Sequence, residues 1–151
     1  MKNKIVLVLH NIRSRYNVGS IFRTADGASV NKIYLCGITP YPPHSKISKV
    51  ALGAEEYISW EKCKQTGRAI DRLKNEGYQI VVLEQNRKSI NYSKFKPKFP
   101  VALVLGAEVI GLPERLLNKC DKIIEIPMCG QKESLNVSVA CGISIFQIIN
   151  N

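Results

Sequence analysis

The sequence predicts an α/β domain, a parallel sheet flanked by helices, on two observations. Five short β-rich runs are mostly apolar throughout rather than alternating, as expected of strands covered on both faces. Segments with helical spacing or caps separate several of them, and alternation of β with α is the pattern of a parallel sheet. With 151 residues and 45% apolar content, the chain suits a single domain spanning 1–151. A domain of that size buries about two-thirds of its unfolded surface.

The elements follow in order. Ile5–His10 is the first strand. A basic start precedes an apolar run from Ile5 to Leu9, which is short for a signal peptide and leads into no small-residue cleavage site. Val18–Ala28 reads as a helix and Lys32–Cys36 as the second strand. ITPYPPHSKIS, residues 38–48, is proline-rich and polar and reads as a loop. Trp60–Asn75 reads as a helix, with Ser59 as its N-cap and Gly77 placed to end it. Gln79–Leu83 and Val101–Leu105 are strands joined by the basic connection 84–100, and loops that long are often functional. Pro113–Asn118 suits a short helix with proline in its first turn, and Lys122–Ile126 is the last strand.

The final segment is ambiguous, because SLNVSVA alternates like a strand. Leu135, Val139, Gly142, Phe146 and Ile149 nevertheless follow i, i+4, i+3 spacing, which predicts a helix over Ser134–Ile149. Its other faces are also apolar, so it should be covered on more than one side, by a second subunit or deep within the chain. No apolar run approaches the ~20 residues of a membrane span, so no membrane partner is expected.

Charge narrows the function. Lys and Arg number 22 against 12 Asp and Glu, a net of +10. No acid precedes Asp26, whereas Lys2, Lys4, Arg13, Arg15 and Arg23 do. Between Gln85 and Pro100 lie Arg87, Lys88, Lys94, Lys96 and Lys98 without an acid, interleaved with Tyr92, Phe95 and Phe99. Cations on a polyanion gain affinity by releasing counterions, and aromatics can stack on unpaired bases. A nucleic-acid partner therefore stands ahead of the plainer alternative, a solvated lysine-rich surface. The five cysteines are odd in number and form no C-x-x-C pair, and only His10 and His44 could assist them. Reduced thiols in a cytoplasmic protein with no metal are expected.

Three clusters of small and polar residues sit at strand-to-helix junctions, where open α/β sheets bind ligands. In NIRSRYNVGSIFRTADGA, Asn11 and Asn17 can bond turn backbone, Gly19 permits close approach, and Arg23 can point back to the junction. A plain helix N-terminus with a surface arginine is the alternative. LVLGAEVIGLPE is not G-x-G-x-x-G, so no dinucleotide fingerprint is present. Gly106 and Gly111 around Glu108 would let backbone press on a flat ligand, or Glu108 is simply a turn residue. In IPMCGQKESLNVSVA a cap accounts for Ser134 but leaves Asn136, deeper and beside Leu135, without a reason.

As an ordered set over nearly the whole chain, from Ile5 onward, these motifs strongly resemble the SpoU, or TrmH-like, RNA ribose 2′-O-methyltransferases of the SPOUT superfamily. SKVALGAEEYISW, residues 48–60, is similar to the linking region of the branch that includes TrmH. The resemblance implies a SPOUT fold whose C-terminal part is threaded as a deep trefoil knot, a homodimer, and S-adenosyl-L-methionine as cofactor. Carried onto this chain, the cofactor-binding positions are Leu105, Gly106, Gly111, Ile126, Met128, Leu135 and Asn136. Arg23 becomes the main catalytic residue, with Asn17, Glu108, Ser134 and Asn136 completing the site.

Arg13, Arg15, Lys46 and Lys49 are expected to flank that site and contact RNA phosphates. A guanidinium is essentially never deprotonated, so Arg23 should clamp a phosphate and stabilise the developing alkoxide rather than act as a base. The first motif begins at residue 11, so no separate RNA-binding domain is expected, and tRNA is favoured over rRNA as substrate, with guanosine as the base. The rival is a non-catalytic SPOUT-fold RNA-binding protein. A nucleotide-dependent enzyme on an ordinary doubly wound sheet would need a phosphate loop that the sequence lacks.

Overall fold

Six consecutive buried residues make β1 (Ile5–His10), and a strand buried on both faces has to lie inside a sheet. In the computed structural model, which describes residues 3–107 and 110–151, β1 is flanked by parallel partners on both sides. The other strands are β2 (Lys32–Cys36), β3 (Ser59–Cys63), β4 (Gln79–Leu83), β5 (Ile90–Asn91), β6 (Val101–Leu105) and β7 (Lys122–Glu125). They form one seven-stranded sheet in the order β3-β2-β1-β6-β4-β7-β5, with every ladder parallel. The last strand, β7, is inserted between β4 and β5, both of which precede it in the chain.

Helices cover both faces. Alternate side chains of β1 divide between two cores. Ile5, Leu7 and Leu9 pack with Val18, Ile21, Phe22 and Ala25 of α1 (Arg15–Gly27) and with Cys141, Ile145 and Ile148 of α5 (Val137–Ile149). That core also holds Ile47 and Ala51 of α2 (Ser45–Ala51). Val6 and Val8 face Ala69, Ile70 and Leu73 of α3 (Thr66–Asn75) and Leu116 of α4 (Glu114–Leu117). No helix of the described residues is long and apolar enough to cross a membrane.

Three expectations are corrected. The helix anticipated over Trp60–Asn75 is two elements, because Ser59–Cys63 extends to pair with β2 and the helix begins only at Thr66. SWEKC conceals a strand because it lies at the sheet edge, where charge is tolerated and Glu61 takes ion pairs from Lys32 at 2.9 Å and Arg72 at 2.7 Å. Those two hydrogen-bonded cations, Lys32 first, hold the Glu61 carboxyl well below its ordinary range, at about 2. Within the expected loop 38–48, the tail turns helical after His44, whose ring accepts the Lys46 N–H at 3.1 Å as an N-cap. The final helix starts at Val137 instead of Ser134, and Asn136 is its cap.

Gly19 fixes how closely α1 and α2 approach. A Cβ there would sit 2.6 Å from the backbone oxygen of Ile47. Neither helix can yield without moving as a body, so Gly19→Ala should destabilise the protein by about 1–3 kcal/mol. A urea denaturation series reads this directly, and an unchanged midpoint would show that the two helices part freely.

Candidate active site

The C-terminal ends of β6, β4 and β7, neighbours in the sheet, open on a cleft of about 340 Å³. All the residues expected to hold a cofactor line it except Asn136: Leu105, Gly106, Gly111, Ile126, Met128 and Leu135. Ser134 lines it too. The two glycines act first on the protein itself. A Cβ on Gly106 would lie 3.0 Å from the Gly111 carbonyl carbon, and Gly111 has φ +73° with Glu84 Oε1 only 2.6 Å from where its Cβ would be. The segment after β6 therefore folds back as a tight turn, closed by the Gly111 N–H donating to the Ala107 carbonyl at 2.9 Å. Glu108, expected at the head of this turn, lies outside the described residues.

Sequence reasoning missed the contribution of β4. Glu84 and Gln85, just past its last residue, line the cleft. Glu84 Oε1 accepts the Leu112 N–H at 2.8 Å, and Gln85 Nε2 donates to the Glu133 carbonyl at 2.7 Å, tying the strand end to the loop before Ser134. The signal was present: an acid directly after a buried parallel strand stands where such sheets bind ligands.

Asn136 has a structural task and a bridging one. Its Oδ1 accepts from the Ser138 N–H at 2.9 Å, the Ser138 hydroxyl at 2.6 Å and the Val139 N–H at 3.4 Å. Its Nδ2 donates to Oδ1 of Asn17, 119 residues away, at 3.2 Å. Asn17 is buried in the first turn of α1, where its N–H donates to the hydroxyl of the N-cap Ser14 at 3.1 Å. The first and third motifs are thus joined by a hydrogen bond. The chain neighbours of Asn136 face the cleft, and Arg15 and Tyr16, just before Asn17, face a second concavity.

That concavity, about 670 Å³, gathers Arg13, Arg15, Arg23, Lys46 and Lys49. They flank the cleft from across the asparagine pair and do not line it. Arg23 is among them, exposed on α1 and outside the cleft. Among the described residues none of the five has an ion-pair partner, and no acid lines the depression. Cations held together without counter-charges make an anion site. Tyr16 and Leu52, both largely exposed, form apolar parts of its wall, and Leu52 holds a left-handed φ of 53°.

Elsewhere the structure assigns plainer jobs. The aromatics of the basic connection are anchors, since Phe95 is buried and Tyr92 and Phe99 pack on the core, while Arg87 and the lysines are presented outward. His10 Nδ1 lies 2.6 Å from the Thr66 hydroxyl, and burial, with Arg115 nearby, pushes its pKa down. Burial raises the Cys36 and Cys141 thiols to about 12, which keeps them protonated. Among the described residues no group of three or more acids, histidines or cysteines could hold a metal.

Comparison with known proteins agrees with this geometry. The model of the SpoU rRNA Methylase family matches residues 4–146. The tRNA (guanosine(18)-2'-O)-methyltransferase of Borreliella burgdorferi is 32% identical over 147 residues, covering 97% of this chain and 66% of the relative. The AdoMet-bound rRNA methyltransferase from Sinorhizobium meliloti superposes with a TM-score of 0.91 at 29% identity, over 97% of this chain and 56% of that one. The TrmH/SpoU tRNA modifying enzyme of A. aeolicus gives 0.84 at 26% identity, over 99% and 75%. This chain spans between 57% and 66% of the length of the curated relatives it matches. With motif order, parallel sheet and family match in accord, the chain belongs to the SpoU rRNA methylase family.

Proposed function

We propose that this protein is an S-adenosyl-L-methionine-dependent RNA methyltransferase that places a methyl group on a ribose 2′-OH, in tRNA rather than rRNA. The observation that carries the reading is the 3.2 Å bond between Asn17 and Asn136, which couples a nucleoside-sized cleft to a cluster of unpaired cations. The tRNA preference rests on the Borreliella burgdorferi relative. The action is cytoplasmic, as the free cysteines suit.

The cleft fits the cofactor. Leu83, Leu105, Ile126 and Leu135 supply apolar walls for a flat heterocycle, while the glycine turn and the Ile126–Met128 segment bring backbone polar groups to its edge. S-adenosyl-L-methionine supplies the electrophilic methyl group when bound. The insertion of β7 between two earlier strands supports a knotted C-terminal part.

Arg23 clamps an RNA phosphate and offers charge to the ribose oxygen as it becomes an alkoxide, and the proton leaves through water or another group. Asn17 and Asn136 hold α1 and α5 in register, which would keep a ribose oxygen on the α1 side aligned with a cofactor held in the cleft. Ser134, exposed at the cleft mouth, completes the constellation, and Glu108 joins it on the motif resemblance alone. Arg13, Arg15, Lys46 and Lys49 take neighbouring phosphates.

The functional unit is a homodimer. On α5, Val139, Ile143 and Phe146 are 50%, 38% and 41% exposed and lie three or four residues apart, an apolar stripe that a second copy would cover. Phe146→Glu should convert the dimer to a monomer in sedimentation velocity at micromolar concentration. A wild-type monomer would refute the assembly.

Undermodified tRNA and rRNA, each incubated with protein and cofactor and digested for nucleoside mass spectrometry, test the reaction. A 2′-O-methylnucleoside should appear in the tRNA pool and fall about 10²–10³-fold in rate with Arg23→Ala. No product in either pool, with cofactor bound, would favour a non-catalytic RNA-binding protein. Replacing Lys46 and Lys49 together should lower the slope of log affinity against log salt by about 1 to 2. An unchanged slope removes them from the footprint.

A further inference from the structure

Glu84 has a carboxylate that the proposed reaction leaves unused. It follows β4 directly and lines the cleft beside Leu105 and Gly111. One oxygen is committed, accepting the Leu112 N–H at 2.8 Å. Among the described residues the other has no hydrogen-bond donor. Among the described residues Glu125, the other carboxylate of the cleft, is likewise engaged through one oxygen, by the Ser89 hydroxyl, but no backbone N–H anchors it. No lysine or arginine lines the cleft among the described residues. A half-buried anion with no counter-cation and one oxygen without a protein donor gains from neutral donors and repels an anionic ligand.

Building on the cofactor reading above, we infer that the free oxygen of Glu84 accepts from the ribose hydroxyls of the bound adenosyl cofactor and sets selectivity for an intact, unphosphorylated ribose diol. A vicinal diol offers two donors to an acceptor-only group. An acid near the end of a parallel strand takes that role in other nucleotide-binding α/β sheets. Three features of the site favour this ligand group. The carboxylate is anchored by the Leu112 N–H, so little freedom is lost on binding. It sits against Gly111, where the missing side chain leaves it room. The cation cluster around Arg23 lines a separate depression and does not neutralise it.

The test is calorimetric binding of S-adenosylhomocysteine and of its 2′-deoxy and 3′-deoxy analogues to the wild-type chain and to Glu84→Gln. The glutamine keeps an oxygen for the Leu112 N–H and removes the charge. The wild type should bind at least one deoxy analogue about 10-fold or more weakly than the parent, as expected for loss of a hydrogen bond to a charged group. Glu84→Gln should lose a similar factor on the parent and no longer discriminate against that analogue. Equal affinity of variant and wild type for the parent overturns the inference. So does a uniform loss on all three ligands with discrimination kept, because that marks a purely structural Glu84. If the wild-type chain binds none of these compounds, the cofactor reading itself fails, an outcome distinct from a variant that behaves like the wild type.

Discussion

The site depends on one side-chain pair. The Asn136 amide satisfies the first N–H groups of the last helix with its oxygen and reaches the first helix with its nitrogen. A serine or threonine at that position would cap the helix but offer a single polar atom for both duties. An aspartate would cap it and then face the Asn17 oxygen with a like acceptor. Two duties on opposite ends of one planar group explain why an amide stands there, and a cap alone would not.

Around that pair the molecule separates its charges by task. A chain with a net charge of +10 builds a cleft that, among the described residues, no lysine or arginine lines, and gathers five cations in a neighbouring depression. Were the cations in the cleft, a polyanion would compete with any nucleoside for the same walls. Keeping them apart leaves the cleft and the depression free to take a ligand each.

Much of the fold was legible in the sequence because its centre is buried on both sides. The runs of β1, β4 and β6 are apolar at nearly every position, and no surface element reads that way. The strand at Ser59–Cys63 was hidden because an edge strand carries charge, and β5 because two residues make no pattern. The motifs gave the positions around the cleft, since glycines and short polar residues after strands mark where backbone is exposed. Separation of Arg23 from the cleft was not legible, because spacing along α1 says nothing of how α2 folds against it. Glu84 was passed over for the opposite reason: it belongs to no cluster, and its importance lies in the turn it supports from 28 residues away.

The place of β7 has a consequence for how the molecule comes into being. Strands β4 and β5 cannot settle as neighbours, since a later segment must come to lie between them. Three strand ends and the last helix then contribute walls to the same cleft. Long-range parallel pairings of this kind form slowly, because the loops must close before any contact rewards them. The cleft is therefore among the last features to appear as the chain folds. The cation depression, built from residues 13–52, needs none of those closures and precedes it.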